Sequence, residues 1–302
     1  ACSDSPTAPQ RAARVVVAPT TLTLASGASG SLAATIEDDQ GRALNGRTIT
    51  WISTNTDVAT VSGAGLVTAR ANLGAAPVST TILAAGEGQV GSAVVTVSPA
   101  AVAQVQLGSD TTRVTVGGAA QLTVIVRDGS GATLTGRSVT FTSLDTAVVS
   151  VLASGIVTAR DYSGPATRAA RIVASVAGQS DTAIVVVAPL AVASVALLED
   201  TLQLVQGTAA ALTFEARASD GRLLPGRAVT WASSDTARLQ VNGSGALTAS
   251  AAFLAAPAFA TVTATSEGVS DAATIAIASG FELAENGITV RNDTGVFEGG
   301  EI

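Results

Sequence analysis

The sequence predicts an all-β protein built from three tandem sandwiches. Its hydrophobic fraction is 47% but its aromatic fraction only 3%, so Ala, Val, Leu and Ile dominate together with Thr, Ser and Gly. Such a mixture of β-branched residues and turn formers is typical of all-β domains. One hexapeptide pattern, with Gly-Arg at its start and Thr followed by an aromatic residue at its end, recurs at a spacing of 90 residues, as Gly46–Trp51, Gly136–Phe141 and Gly226–Trp231. The 302 residues therefore contain three copies of one unit, each long enough to bury a core.

The repeat divides the chain into five segments. Residues 1–13 contain two prolines and no hydrophobic alternation, which is typical of a flexible tether. The three repeats span 14–99, 100–189 and 190–279, and the remaining segment, 280–302, matches none of them. The linkers Ser98–Ala101 and Ala188–Ala191 are short and contain proline, which restricts reorientation of the repeats. We therefore expect the three sandwiches to form an elongated rod.

Alternation of apolar and polar residues predicts about seven strands in each repeat. In the first repeat, Pro19 splits the first strand into Arg14–Val17 and Leu22–Leu24. The strands predicted after it lie at 31–37, 47–53, 58–61, 66–69, 79–84 and 93–97. The other two repeats show the same order, and no segment has the 3.6-residue apolar period of a helix.

An aromatic residue recurs on the third predicted strand of each repeat, as Trp51, Phe141 and Trp231. Its place in the alternation points inward, so we expect each of these rings to fill the core of its sandwich. The chain has one cysteine, Cys2, which excludes an internal disulfide beside the ring.

The apolar run 182–198 approaches the length of a membrane span. Pro189 lies in its middle, and the repeat aligns the run with 92–106, where the pattern is strand, linker, strand. A spanning helix also needs about 20 apolar residues. We expect no transmembrane segment.

The charge of the chain limits its partners. The net charge is −7, all 16 basic residues are Arg, and His is absent. Nucleic-acid binding needs a basic footprint, so no nucleic-acid partner is expected.

The same composition argues against catalysis and metal binding. Without His or Lys there is no Ser-His-Asp, Cys-His or Ser-Lys arrangement, and we expect no enzymatic activity and no small-molecule substrate. A chain with one Cys and no His lacks the ligands of transition metals. Calcium is not expected either, because Glu37-Asp38-Asp39 and Glu199-Asp200 are too few acids to surround an ion with six oxygens. We expect no cofactor.

The N-terminus resembles that of a bacterial lipoprotein. Cys2 follows a small residue and precedes the polar run Ser3-Asp4-Ser5-Pro6. The resemblance implies a covalent lipid on Cys2 and an extracytoplasmic location, periplasmic or at the cell surface, with membrane anchoring. Ala1 still precedes Cys2, which departs from the processed form of such proteins. A stray thiol is the alternative.

The repeated motifs resemble the group 2 bacterial Ig-like (Big) family. The pattern is Gly-Arg-x-Val-Thr-Trp-x-Ser-x-Asp-Thr-Ala followed by Ser-Gly-x-Val-Thr-Ala, best seen in Gly226–Ala237 and Gly243–Ala249. The resemblance covers about residues 14–279. It implies Ig-type β-sandwiches in surface or periplasmic proteins that act as stalks, spacers, adhesins or interaction modules.

The connections Arg70–Val78, Arg160–Arg168 and Ser250–Ala258 are longer than that family leads us to expect. Loops on a rigid scaffold carry function, and Tyr and Arg are enriched at binding hot spots. The partner-binding candidates in the loops and the adjoining strand are Leu73, Arg160, Tyr162, Arg168, Arg171, Phe253 and Leu254. The alternative is that these side chains cap their own sandwich.

The C-terminal segment is the second candidate. Phe281–Ala284 and Ile288–Arg291 flank Glu285-Asn286-Gly287, which predicts a hairpin. With Phe281 and Phe297 as apolar contacts, it could add to the sheet edge of another chain. The alternatives are the start of a further domain and a disordered tail.

The sequence therefore predicts a non-catalytic extracytoplasmic scaffold. It would be a lipid-anchored accessory subunit that docks onto a membrane protein complex, such as a photosynthetic or respiratory assembly, from the periplasmic side. The alternative is an adhesin, stalk or filament subunit that binds carbohydrate or another cell.

Overall fold

The computed structural model describes residues 11–251 and 256–278, together with the backbone of two strands at 289–292 and 295–298. All regular elements of this part of the chain are strands, which confirms the all-β prediction. Each repeat contributes nine strands to the described residues, rather than seven.

The strands of the first repeat are β1 (Arg14–Ala18), β2 (Thr21–Leu24), β3 (Ser29–Ser31), β4 (Ala33–Glu37), β5 (Thr50–Ser53), β6 (Ala59–Val61), β7 (Leu66–Ala69), β8 (Val78–Gly86) and β9 (Gln89–Val97). Those of the second are β10 (Gln104–Leu107), β11 (Thr111–Thr115), β12 (Ala119–Gln121), β13 (Val124–Arg127), β14 (Thr140–Ser143), β15 (Val149–Val151), β16 (Ile156–Ala159), β17 (Arg168–Val176) and β18 (Gln179–Ala188). Those of the third are β19 (Ser194–Leu197), β20 (Thr201–Val205), β21 (Ala209–Ala211), β22 (Phe214–Arg217), β23 (Thr230–Ser233), β24 (Leu239–Val241), β25 (Ala246–Ala249), β26 (Ala258–Ser266) and β27 (Val269–Ala278).

Each repeat has the same sheet topology. In the first, a four-stranded sheet has the order β2-β9-β8-β5, and two smaller sheets, β1-β4 and β3-β7-β6, form the opposite layer. β2 runs parallel to β9, and the other pairs are antiparallel. Leu32 alone separates β3 from β4, so the two small sheets are continuous at that point.

The core of each sandwich lies between the layers and follows the alternation. In β9, Ala93, Val95 and Val97 are buried while Val94 is 44% exposed. Each repeat has its own cluster of buried apolar side chains. Trp51, Phe141 and Trp231 pack against these clusters and are partly buried. Alternating burial of this kind is what a two-layer sandwich requires.

The sequence underestimated the hairpin that closes each sandwich. Strands predicted at 79–84 and 93–97 extend to Val78–Gly86 and Gln89–Val97. Only Glu87 and Gly88 connect them, with φ of 48° and 77°. Positive φ at both central residues fits the two-residue turn that matches strand twist. The signal is weaker than Asn-Gly, which is why a longer loop was expected.

The C-terminal strands β28 (Thr289–Asn292) and β29 (Gly295–Glu298) pair antiparallel. The sequence placed the turn of this hairpin at 285–287 instead. The predicted strand Phe281–Ala284 lies outside the described residues.

Candidate functional site at the domain joints

The long connection after the seventh strand of a repeat lies at the joint with the next repeat. In the first joint, the loop 70–78 reaches the linker and the second domain through backbone hydrogen bonds. Ala100 N donates to Asn72 O at 2.9 Å, and Thr135 N donates to Leu73 O at 2.9 Å. The loop is therefore bonded to the linker and to the domain beyond it.

Leu73 contributes an apolar contact at the same place. It is partly buried and packs against the core cluster of the second domain, although it belongs to the first. The sequence predicted Leu73 as a partner-binding residue, and the structure gives it an intramolecular partner. Its side chain therefore forms an apolar contact between the first and second domains.

In the second joint the loop also contacts the next domain, but through different side chains. Asp161 Oδ1, in the loop 160–168, lies 3.1 Å from Arg222 Nη1 of the third domain. Both groups are substantially exposed, so an ion pair of this kind contributes about 1 kcal/mol or less. Leu190 of the linker packs against the cores of both the second and the third domain.

The arginine of the recurring hexapeptide fixes the linker. Arg137 Nη2 donates to Ala100 O at 2.7 Å, and Arg227 Nη2 donates to Leu190 O at 2.6 Å. The Arg227 side chain is only 3% exposed and also donates to Glu267 Oε1 at 2.9 Å. Hydrogen bonds from a charged donor are stronger than neutral ones. In the second and third repeats the hexapeptide therefore serves the joint as well as the strand that begins within it.

Tyr162 folds back onto its own domain. Its hydroxyl donates to Ala166 O at 2.5 Å and lies 3.4 Å from Val187 O. Its ring packs on the core of the second domain, with the Arg168 guanidinium 4.5 Å from the ring centroid. Asn72, 90 residues earlier, donates to the equivalent carbonyls of Ala76 and Val97.

The other predicted arginines remain at the surface. Arg160 Nε donates to Thr146 O of its own domain at 3.2 Å. Arg168 and Arg171 are exposed at their positions in β17. Phe253, Leu254, Phe281 and Cys2 lie outside the described residues, as does the Phe297 side chain. Partner binding by this group of residues stays a prediction.

The acidic turn considered for calcium is organised by its own chain. Asp38 Oδ1 accepts hydrogen bonds from the backbone N–H groups of Gln40 and Arg42, and Oδ2 accepts from Arg42 Nε at 2.8 Å. The bond from the Arg42 backbone, aided by its guanidinium, holds the pKa of Asp38 below its ordinary value. In the described part of the chain, no three acidic, His or Cys side chains gather as metal ligands.

Sequence reasoning missed one exposed aromatic. Phe259 is 68% exposed on β26, on the outer face of the four-stranded sheet of the third domain. Together with Thr201, Gln203 and Thr274 it lines an open cavity of about 440 Å³. The aligned residues of the other repeats are Ser79 and Ala169, so a comparison of the copies could have found it.

No helix among the described residues is long and apolar enough to cross a bilayer.

Residues 12–97 match the family model of the bacterial Ig-like domain (group 2). This range contains the first sandwich with its core, so the first domain is a group 2 bacterial Ig-like domain, as its motifs indicated. The comparison with curated proteins finds no match.

Several solved structures are similar to this chain over most of its length. The Escherichia coli adhesin FdeC is 17% identical, with 90% of this chain and 99% of that chain covered and a TM-score of 0.39. Domains 1–6 of the surface layer protein SbsC are 18% identical, covering 95% of this chain at a TM-score of 0.29. The chain spans 44% of that structure's length. Drosophila N-cadherin EC1–4 is 13% identical, with 86% and 73% covered and a TM-score of 0.34.

Proposed function

We propose that the chain is a non-catalytic extracytoplasmic interaction protein that works as a jointed arm of limited flexibility. The two hydrogen bonds of the Ala100 backbone are the main support for this proposal. Its N–H donates to Asn72 O in the loop of the first domain, and its carbonyl accepts from Arg137 of the second domain. A linker held on both sides cannot swivel freely without breaking these bonds. The arm would hold binding surfaces at a set distance from its point of attachment.

The distance between spin labels on the first and second domains tests whether the joint between them is stiff. In a Cys2→Ser background, Ala64→Cys with Ser154→Cys labels equivalent exposed turns of the first and second domains. We expect a narrow distance distribution that broadens when Leu73→Ser is added. A broad distribution in the parent, like that of freely jointed domains, would refute the proposal.

A narrower proposal concerns the attachment. A lipid on Cys2 would tether the arm to a membrane, where it would dock onto a membrane protein complex as an accessory subunit. Cys2→Ser should release the protein from membranes, and the wild type should migrate with a larger complex after mild detergent extraction. Unchanged membrane association of Cys2→Ser, or migration of the wild type as a single chain, would count against it.

The exposed ring of Phe259 favours adhesion as a second candidate. Thr201, Gln203 and Thr274 surround it with hydroxyl and amide groups and no charge. An apolar ring face with neutral hydrogen-bonding groups is suited to a sugar ring. Phe259→Ser, which copies Ser79 of the first domain, should abolish any glycan binding. Retention of glycan binding by this variant would remove the ring from consideration.

A further inference from the structure

The third domain has an apolar pocket at the end that faces the second domain. Its volume is about 330 Å³, and the residues that line it are Phe214, Glu215, Ala216, Leu223, Leu224, Pro225 and Gly226. Leu224 forms a buried wall, whereas Leu223 is 46% exposed at the rim. The carboxylate of Glu215 is already paired with Arg217 Nη2 at 2.7 Å. The pocket therefore favours an uncharged, apolar occupant.

The 90-residue repeat identifies the matching place in the second domain. Leu224, Pro225 and Gly226 align with Leu134, Thr135 and Gly136. In the second domain the first loop reaches this place, because Thr135 N donates to Leu73 O, and the Leu73 side chain packs against the second core cluster.

The loops of the two joints approach this place in the same register. A Cβ added at Gly136 would lie 3.5 Å from Ala75 Cβ, and one added at Gly226 would lie 3.9 Å from Pro165 Cδ. Ala75 and Pro165 are themselves equivalent positions. The second joint therefore brings its loop to the edge of the pocket at Gly226, as the first joint brings its loop to Gly136.

The side chain that fills the place is missing from the second joint. Ser163 stands where the first loop has Leu73, and Pro225 has no N–H to donate where the second domain has Thr135. Within the described residues, the apolar side chains packed against the third core include Leu190 of the linker and none from the loop 160–168. Phe214, which replaces Val124, gives the pocket an aromatic wall.

We propose that this pocket binds a leucine-sized aliphatic side chain presented on a loop of a protein partner. The occupant is argued from the chain itself, since Leu73 on its loop sits at the equivalent place one repeat earlier. Protein contacts can be centred on an apolar side chain, aromatic or aliphatic, that inserts into a preformed pocket. The pocket adds a docking point to the proposed arm, and its occupancy does not depend on whether the joints are stiff.

The test uses the full-length, ¹⁵N-labelled protein and N-acetyl-leucine N-methylamide, which carries a leucine side chain between two peptide groups. We expect saturable chemical-shift changes at the amides of Leu223 and Gly226 in the millimolar range. Ser163→Leu should fill the pocket from within and weaken binding at least tenfold, whereas Ser154→Leu, in an exposed turn, should leave it unchanged. N-acetyl-alanine N-methylamide should bind more weakly than the leucine probe.

The reciprocal variant keeps the test independent of any single substitution. Leu73→Ser should open the matching place in the second domain, so that the leucine probe then shifts the amide of Gly136 as well. Absence of saturable shifts in the wild type would overturn the proposal. Equal binding by the wild type and a folded Ser163→Leu variant would also overturn it, as would failure of Leu73→Ser to create the second site.

Discussion

Replacing Leu73 by Ser should loosen the first joint without unfolding either domain. Complete burial of a leucine side chain is worth about 1.5–3 kcal/mol. Leu73 is only partly buried, so its contact should stabilise the closed joint by about 1–1.5 kcal/mol. Because 1.4 kcal/mol corresponds to a factor of ten in an equilibrium constant, the open fraction should rise about tenfold.

Hydrogen exchange at the Thr135 amide measures this opening directly. That N–H bonds to Leu73 O across the joint and is released only when the joint opens. In Leu73→Ser its protection should fall about tenfold, while protection at Ile172 and Ala174 in the core of the second domain stays the same. The control is Leu152→Ser, because Leu152 is 58% exposed in a turn. Equal protection of the Thr135 amide in the wild type and in Leu73→Ser would refute the proposed contribution of the Leu73 side chain to the closed joint.

Three further outcomes follow from the described contacts. Arg227→Met should lower the free energy of unfolding of the third domain by about 2–3 kcal/mol in urea, because Leu190 O and Glu267 lose a buried, charged hydrogen-bond donor. A cost below about 0.5 kcal/mol would contradict this. Gly245→Ala should cost at least about 2 kcal/mol, because the new Cβ would lie 2.7 Å from Leu212 O at a φ of +82°, while Gly243→Ala, with open space around it, should cost far less. Asp38→Asn should lower stability at neutral pH, and its deficit against the wild type should shrink as pH falls. The folded-state pKa of Asp38 is depressed, so its contribution is present above the unfolded-state pKa and is lost as pH falls through the folded-state value. A deficit that does not change with pH would contradict that assignment.

The fold could be predicted because the same alternation of apolar and polar residues occurs in all three repeats. Alternation along β9 places Ala93, Val95 and Val97 in the core. Because the pattern occurs in three copies in register, a strand that is weakly indicated in one copy can be assigned from the others. The errors fall where the pattern is weak. Leu32 interrupts the predicted strand 31–37 so that β3 and β4 join different sheets, and Glu87-Gly88 makes a tight turn without the usual Asn-Gly signal.

The role of the long loops could not be predicted from the sequence. Apolar side chains such as Leu73 and Tyr162 look equally suited to a partner, to the next domain or to their own sandwich. The choice depends on where the loop lies relative to the linker, which alternation does not encode. Leu73 points to the next domain, whereas Tyr162 packs on its own. The replacement of Asn72 by Tyr162 at the equivalent position was the available clue, since each side chain can reach the two equivalent carbonyls of its own repeat.

The joints and the sheet topology favour the same mechanical role. In each repeat the second strand pairs in parallel with the last strand, and in the first two repeats the last strand leads into the next joint. A pull on the two ends of a domain therefore slides these strands in opposite directions. Their hydrogen bonds then carry the force together rather than opening one after another. The linker bonds of Arg137 and Arg227 lie between successive domains, so a pull along the chain loads each joint as well as these strand pairs.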